Sequence, residues 1–278
     1  MHIEPKISIV IPTYNQGIFI EDTIKSIIYQ NYVHKELIII DGNSDDNTLD
    51  IIKKYERYIA YWISENDEGQ SDALIKGFSY ASGDLYYWIN SDDMLFPNAL
   101  YNIFFSYNKN PYATLYLGDL LRCNKYGKIY KYIKFVNVSN TSLKHGIVNF
   151  GQPSTFFNAN IYHKVGGINK NLHMRMDHDL FLKMLLYKNN VQLVNAPLSV
   201  LRDHERRKWV VKKKLGYHEN SLYRSTLNKN KIKLNIVRLI FKVSKLIKGN
   251  YIKSYYMTLF YTGKSIYKYW KNAIKDQK

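Results

Sequence analysis

Leu85-Tyr86-Tyr87-Trp88-Ile89-Asn90-Ser91-Asp92-Asp93 reads as a strand that runs into an acidic turn. Aromatic and β-branched residues favour an extended, buried segment, and the polar quartet marks its carboxyl end. In an α/β sheet that edge is where ligands bind. Two carboxylates there suit a hard divalent cation, and such a cation suits a diphosphate. The alternative is that Asp92 and Asp93 only start the helix expected around Phe96–Phe105, as caps.

Working outward, Ile7-Ser8-Ile9-Val10-Ile11-Pro12 is a second apolar run, followed by the turn Thr13-Tyr14-Asn15-Gln16-Gly17. Ile20, Ile24, Ile27 and Ile28 then recur on one helical face. Glu36–Ile40 predicts a strand ending at Asp41, with a polar turn through Asn43, Ser44, Asp45 and Asp46. Ile51, Ile52, Tyr55 and Ile59 mark a helix, Tyr61–Ser64 a short strand, and Ser71–Ala81 a further helix. This order, β-α-β-α-β-α-β, implies parallel strands joined by right-handed crossovers. It places the loops 13–17, 41–46 and 90–93 on one sheet edge. An Asp after the second strand can accept hydrogen bonds from a nucleoside.

The 278 residues, 46% of them apolar, are enough for a substantial core and exclude a disordered polymer. One domain with an appendage is expected. The single cysteine, Cys123, has no internal disulfide partner, so a reducing compartment is expected. The start, Met-His-Ile-Glu-Pro-Lys, leads straight into a strand, so no signal peptide is expected, and no run of about 18 apolar residues predicts a spanning helix. No Ser-His-Asp or paired-cysteine arrangement supports acyl transfer or zinc chemistry.

The net charge of +17 is concentrated at the carboxyl end. Residues 231–278 hold twelve lysines and arginines against Asp276, or +11 of the total. Arg238, Lys242 and Lys245 oppose Ile236, Leu239, Ile240, Val243, Leu246 and Ile247 on a helix. Lys264, Lys268, Lys271 and Lys275 oppose Ile266, Tyr267, Trp270 and Ile274 in the same way. Basic amphipathic helices with interleaved aromatics suit an anionic membrane surface. The alternative is a helical hairpin packed on the domain with a solvated lysine face. Nucleic acid is not an expected partner, because the aromatics form helical stripes and no binding motif is present.

Ser8-Ile9-Val10-Ile11-Pro12-Thr13-Tyr14-Asn15 and Ile40-Asp41-Gly42-Asn43-Ser44-Asp45-Asp46 resemble the opening of a family 2 glycosyltransferase. Glu68-Gly69-Gln70-Ser71-Asp72-Ala73, Asn90-Ser91-Asp92-Asp93, Gly151–Phe157, Val165–Ile168 and Met176–Lys183 continue the likeness in order over roughly residues 6–205. The resemblance implies an α/β fold: a Rossmann-like, nucleotide-sugar-binding mixed sheet flanked by helices, the A-type glycosyltransferase fold. It also implies an inverting reaction, a nucleotide-diphosphate sugar donor (UDP-linked) and a divalent metal, Mn²⁺ or Mg²⁺. We expect a catalytic domain over 1–225, divided into nucleotide-binding (1–95) and acceptor (96–225) parts. A basic amphipathic helical extension over 226–278 is expected to follow.

By motif position, the resemblance assigns Pro12, Thr13, Tyr14, Asn15, Asp41, Asp72, Lys76, Asn90, Ser91 and Asp92 to the nucleotide sugar. Tyr14 would stack, Asp41 would bond the base, and Lys76 would face phosphate. Asp92, Asp93 and His204 are assigned to the metal: Asp92 as the direct ligand, Asp93 to orient the site or a coordinated water, and His204 to reach the diphosphate or metal, its alternative being a lone surface histidine. Imidazole serves Mn²⁺ better than Mg²⁺. Asp177 is the expected general base, Asp179 the runner-up, and Gln152 lies with Asp179 on the acceptor side. The chain departs from the family pattern at Asn90, where Asp is common, at Ile75, where Asn is frequent, and at Met176, which replaces Glu. The function expected is transfer of a hexosyl or N-acetylhexosaminyl group to a lipid-linked glycan in bacterial surface polysaccharide, lipopolysaccharide or capsule synthesis. It would take place on the cytoplasmic face of the membrane. The competing readings are a sugar nucleotidyltransferase and a non-catalytic membrane-binding protein. The first lacks the basic Gly-rich loop it would need after the first strand, and the second leaves the acidic series unexplained.

Overall fold

The computed structural model describes residues 3–136, 140–144, 148, 150–226, 239, 243, 246 and 249–275. Among them nine strands form one mixed sheet in the order β3-β2-β1-β4-β8-β6-β9-β5, with β7 paired to β6. The amino-terminal half is the predicted alternation: β1 (Ile7–Thr13), α1 (Ile20–Ile28), β2 (Lys35–Asp41), α2 (Thr48–Lys54), β3 (Tyr61–Ser64), α3 (Gln70–Ser79) and β4 (Leu85–Trp88). β1 pairs in parallel with both β2 and β4, and β2 with β3. Along β1, Ile7, Ile9 and Ile11 pack with α1, α2 and α4, while Val10 packs with α3 on the opposite face. Both faces are covered, which is why the strand reads as a continuous apolar run rather than an alternation. Gly77 permits the close approach of α3: a Cβ there would lie 2.4 Å from Val10 Cγ1.

The aspartates do not cap a helix. A two-residue strand, β5 (Met94–Leu95), follows them, and α4 (Ala99–Lys109) begins only after Asn98, whose φ is 60°. The second half is β6 (Leu115–Asn124), β7 (Ile129–Ile133), α5 (Asn140–Lys144), β8 (Thr155–Asn158), α6 (Ala159–Lys164), α7 (Met176–Tyr187) and β9 (Val191–Asp203). Antiparallel β8 joins β4 to β6, and β9 runs parallel to β6 while pairing antiparallel with β5. This brings the end of β9, and His204 after it, beside the acidic turn.

α8 (Lys208–Val211), α9 (Lys213–Thr226), α10 (Asn250–Tyr261) and α11 (Ile266–Lys275) complete the chain. The charged stripe is helical from Ile266, with Lys264 just before the helix rather than on it, and its apolar side is core. Ile266 and Trp270 are buried with Met94, Leu121, Cys123, Ile129, Tyr132 and Val200. For α11 the packed-hairpin alternative therefore holds, and its apolar stripe does not face a membrane. In the 236–247 stripe, Leu239, Val243 and Leu246 are exposed; Ile236, Arg238, Ile240, Lys242, Lys245 and Ile247 lie outside the described residues. α10 was not marked by the sequence, and it divides into two sides. Ser254 and Thr258 hydrogen bond to the Tyr132 backbone. Tyr251, Ile252, Tyr255, Tyr256, Leu259 and Phe260 are exposed on the other side.

Candidate active site

A cleft of about 620 Å³ opens where the ends of β1 and β4, the start of α7 and the segment after β9 converge. Of the predicted residues, Pro12, Thr13, Tyr14, Asn90, Ser91, Asp92, Gln152 and Asp177 line it. Thr13 Oγ1 is buried and has no hydrogen-bond partner among the described residues, while Tyr14 is exposed at the mouth.

The two loops beside β1 and β2 are tied to each other. Asn15 adopts φ 51° and Asn43 φ 65°, left-handed conformations that Asn tolerates. The Asn15 N–H donates to Ser44 Oγ at 2.8 Å, Gln16 N–H to Thr48 Oγ1 at 3.0 Å and Gly17 N–H to Asp46 Oδ2 at 2.9 Å. Asp41 is fully buried and accepts from the Ser44 N–H (2.9 Å), the Ser44 hydroxyl (2.5 Å) and the Ser64 hydroxyl (2.6 Å). Asn15 and Asp41 thus shape the loop that supports the cleft rather than lining it.

The acidic turn is held from beneath. The Thr23 hydroxyl lies 2.9 Å from the Ser91 carbonyl and 2.6 Å from that of Asp93. Asp93 points inward, accepting the Arg202 N–H on Oδ1 at 2.9 Å, with Asn90 Nδ2 3.3 Å from Oδ2. Burial, reinforced by the neighbouring Asp92 charge, raises its pKa well above the carboxylate range. Asp93 is therefore a supporting group and not a cleft-facing ligand. Asp92 faces the cleft and meets His204: Nε2 and Oδ2 are 2.9 Å apart, with the imidazole 2% exposed. Three other assignments change. Lys76 is ion-paired with Glu65 outside the cleft lining. Asp72 accepts the Glu68 N–H at 3.3 Å, and Asp179 pairs with Lys183 at 3.0 Å; neither lines the cleft.

Asp177 sits in the first turn of α7, and burial raises its pKa, which makes its carboxylate a better base. The helix start is positioned from outside the recognised motifs. Buried Glu219, on α9, accepts the N–H groups of His173, Met174 and Arg175 at 2.9, 2.9 and 3.0 Å. Gln152 donates to the Trp88 carbonyl, which fixes its turn against the end of β4.

The cations of the cleft come from a segment that sequence reasoning missed. Arg206, Arg207, Lys208 and Lys212 line it, together with Trp209. Asp203 pairs with Arg122 in a bidentate contact (2.8 and 2.9 Å) and also binds Arg207. Lys208 Nζ donates to Gln70 Oε1 at 2.7 Å, and Gln70 Nε2 donates to Asn90 Oδ1 at 2.7 Å. Burial lowers the Lys208 pKa to about 8. The signal was available: six of the nine residues from Arg206 to Lys214 are basic.

The cleft brings together Asp92, backed by His204, the Asp177 carboxylate with its pKa raised by burial, and a wall of cations. The chain belongs to glycosyl transferase family 2, whose model matches residues 8–178. It is similar to an uncharacterized glycosyltransferase of Rickettsia typhi, 27% identical over 94% of this chain and 86% of that one. A Campylobacter jejuni GalNAc(5)-diNAcBac-PP-undecaprenol beta-1,3-glucosyltransferase is 32% identical over 34% of this chain and 32% of its own length. Among solved structures, Staphylococcus aureus TarS 1-349 in complex with UDP-GlcNAc has a TM-score of 0.62 at 18% identity, covering 73% of this chain and 60% of that one. The mannosyltransferase PcManGT of Pyrobaculum calidifontis, in complex with GDP-Man and Mn²⁺, has a TM-score of 0.59 at 14% identity, covering 82% and 66%. These likenesses identify the A-type glycosyltransferase fold. No described helix is long and apolar enough to cross a membrane.

Proposed function

We propose that the protein is an inverting, metal-assisted transferase that moves a sugar from a UDP-linked donor to a hydroxyl of a lipid-linked glycan. The observation that carries the reading is the meeting in one cleft of Asp92, Asp177 and the Arg206–Lys208 segment, with His204 buried behind Asp92. Thr13 and Tyr14 would hold the nucleoside, with Asp41 fixing their loop through Ser44. Arg206, Arg207 and Lys208 would neutralise the diphosphate, whose charge increases as the sugar departs. In the same cleft, the Asp177 carboxylate would take the proton of the attacking acceptor hydroxyl, leaving Gln152 to hold its own turn against the end of β4.

Among the described residues no group of three His, Cys, Asp or Glu side chains converges as a cation site. Asp92 and His204 do form a two-donor pair, and His204 Nδ1 is buried without a hydrogen-bond partner. Two protein donors fit a cation that takes its remaining oxygens from a diphosphate and water. Bound there, a divalent ion would supply Lewis-acid stabilisation of the leaving diphosphate. The Mn²⁺ of the archaeal neighbour supports this choice.

UDP-GlcNAc in TarS supports the donor class, and the undecaprenol-linked substrate of the Campylobacter relative supports the acceptor class. Attachment to an anionic membrane surface would run through the exposed aromatic side of α10 and the lysines around it. Capsule, lipopolysaccharide or another surface polysaccharide is the corresponding product. Screening UDP- and GDP-sugars for nucleotide release, with and without Mn²⁺ and a polyprenyl-diphosphate glycan, tests the proposal. Release that depends on both acceptor and Mn²⁺ supports it, and no release with any donor refutes it.

A further inference from the structure

The carboxyl end of the chain is built into the back of the acidic site. The Tyr267 hydroxyl, on α11, lies 2.7 Å from Asp22 Oδ2, on α1. The same oxygen accepts Arg202 Nη2 at 2.8 Å, and Arg202 Nη1 lies 3.2 Å from the Tyr267 hydroxyl. Three elements distant in sequence therefore meet on an arginine whose side chain is 3% exposed. From Arg202 two routes lead to the cleft. Its main-chain N–H donates to Asp93. Its guanidinium stands 5.0 Å from the centre of the Phe19 ring, and that ring lies 4.5 Å from the ring of His204, the partner of Asp92. Packing follows the same path, since Ile266 and Trp270 share a cluster with Met94, next to Asp93, and Val200, near Arg202.

Without Asp22 and Tyr267 the buried guanidinium keeps only the Lys125 carbonyl (3.3 Å) and the Met94 sulfur (3.3 Å), neither of which balances its charge. A shift of that guanidinium would disturb Phe19, which packs against it, and the end of β9 that carries Arg202. We propose that Tyr267 and Asp22 are positioning residues of the donor site, holding Arg202 so that Asp93 and His204 keep Asp92 in place. The helical extension would then be part of the active centre and not a separable anchor. The inference deepens the transferase reading and rests on it for the meaning of Asp92.

Two measurements on the full chain test it, with Tyr267→Phe and Asp22→Asn as variants and Lys271→Ala, an exposed change on the same helix, as control. Tyr267→Phe removes one hydroxyl and leaves the apolar contacts of α11, so it should fold, as circular dichroism will report. In ligand-free protein, both variants should move the His204 imidazole signals in nitrogen-edited NMR, and Lys271→Ala should not. Calorimetric titration with UDP and GDP in Mn²⁺ should show reduced affinity in both variants. Losing a direct outer partner of a metal ligand costs roughly 10–100-fold, and the loss should lie toward the lower end of that range, since Tyr267 and Asp22 act through Arg202. Unmoved His204 signals in the folded variants would overturn the proposal, as would moved signals with unchanged nucleotide affinity. Moved signals in a protein whose wild type binds neither nucleotide would uphold the clamp and count against the transferase reading.

Discussion

Glu219→Ala probes how the position of Asp177 is maintained. The carboxylate accepts three consecutive N–H groups, at 2.9, 2.9 and 3.0 Å, just before α7, whose own N-cap, Arg175, makes no side-chain cap bond. A hydrogen bond to a charged acceptor is worth about 1.5–3 kcal/mol net. The three share one carboxylate, and the freed N–H groups are only half-buried, so the sum is not additive. We expect a loss of about 3 kcal/mol, the value of roughly one to two such bonds. At about 2–4 °C per kcal/mol for a domain of this size, Tm should fall by roughly 6–12 °C. Because Asp177 lies in the first turn, kcat should fall while donor KM stays near wild type. Glu219→Gln, which keeps an acceptor oxygen, should give an intermediate Tm. Thermal melts by circular dichroism and steady-state kinetics decide the matter. An unchanged Tm, or a donor KM effect with kcat preserved, would refute the reasoning.

Asp177→Asn should lower transfer by about 10²–10⁴-fold with donor affinity retained; if Asp179→Asn has that effect instead, the base is misassigned. Lys208 titrates near 8, so its positive charge is present below that pH and lost above it. Donor KM should therefore rise as pH passes about 8 in wild type and stay flat in Lys208→Ala. The acid limb of kcat should lie above the ordinary Asp value, because burial raises the Asp177 pKa and only the ionised form accepts a proton. Cosedimentation with anionic vesicles should weaken when Tyr255 and Tyr256 are changed to Ser, while equal binding would remove α10 from the membrane account.

The parallel half of the fold was legible because its strands are apolar runs ended by polar turns, and both faces of β1 are covered. The second half was not: β5 is only two residues long, and β6, β8 and β9 take their places through pairings between segments distant in sequence, which local periodicity does not carry. Asp92, Thr13 and Asp177, read from the turns that carry them, do line the cleft. Asp93 and Asp41 were read as ligand-facing, because adjacent carboxylates look alike in sequence and only the backbone path turns one inward. Lys76 was placed on phosphate although Glu65 captures it. The cations that line the cleft at 206–212 do not stand out by composition, because the charge excess at 231–278 is larger. Lysines on α11 were read as a membrane stripe, yet the apolar side of that helix closes the core behind Asp93.

Nucleotide release from a UDP-sugar in Mn²⁺, measured for wild type and Asp92→Asn at matched fold, tests the central claim most directly. The substitution removes charge without changing volume and leaves the Thr23 hydroxyl contacts to the turn intact. The account predicts donor turnover in wild type, loss of it in chelator, and loss in Asp92→Asn with an unchanged melting curve. Equal release by Asp92→Asn, or wild-type turnover indifferent to chelator, would contradict it.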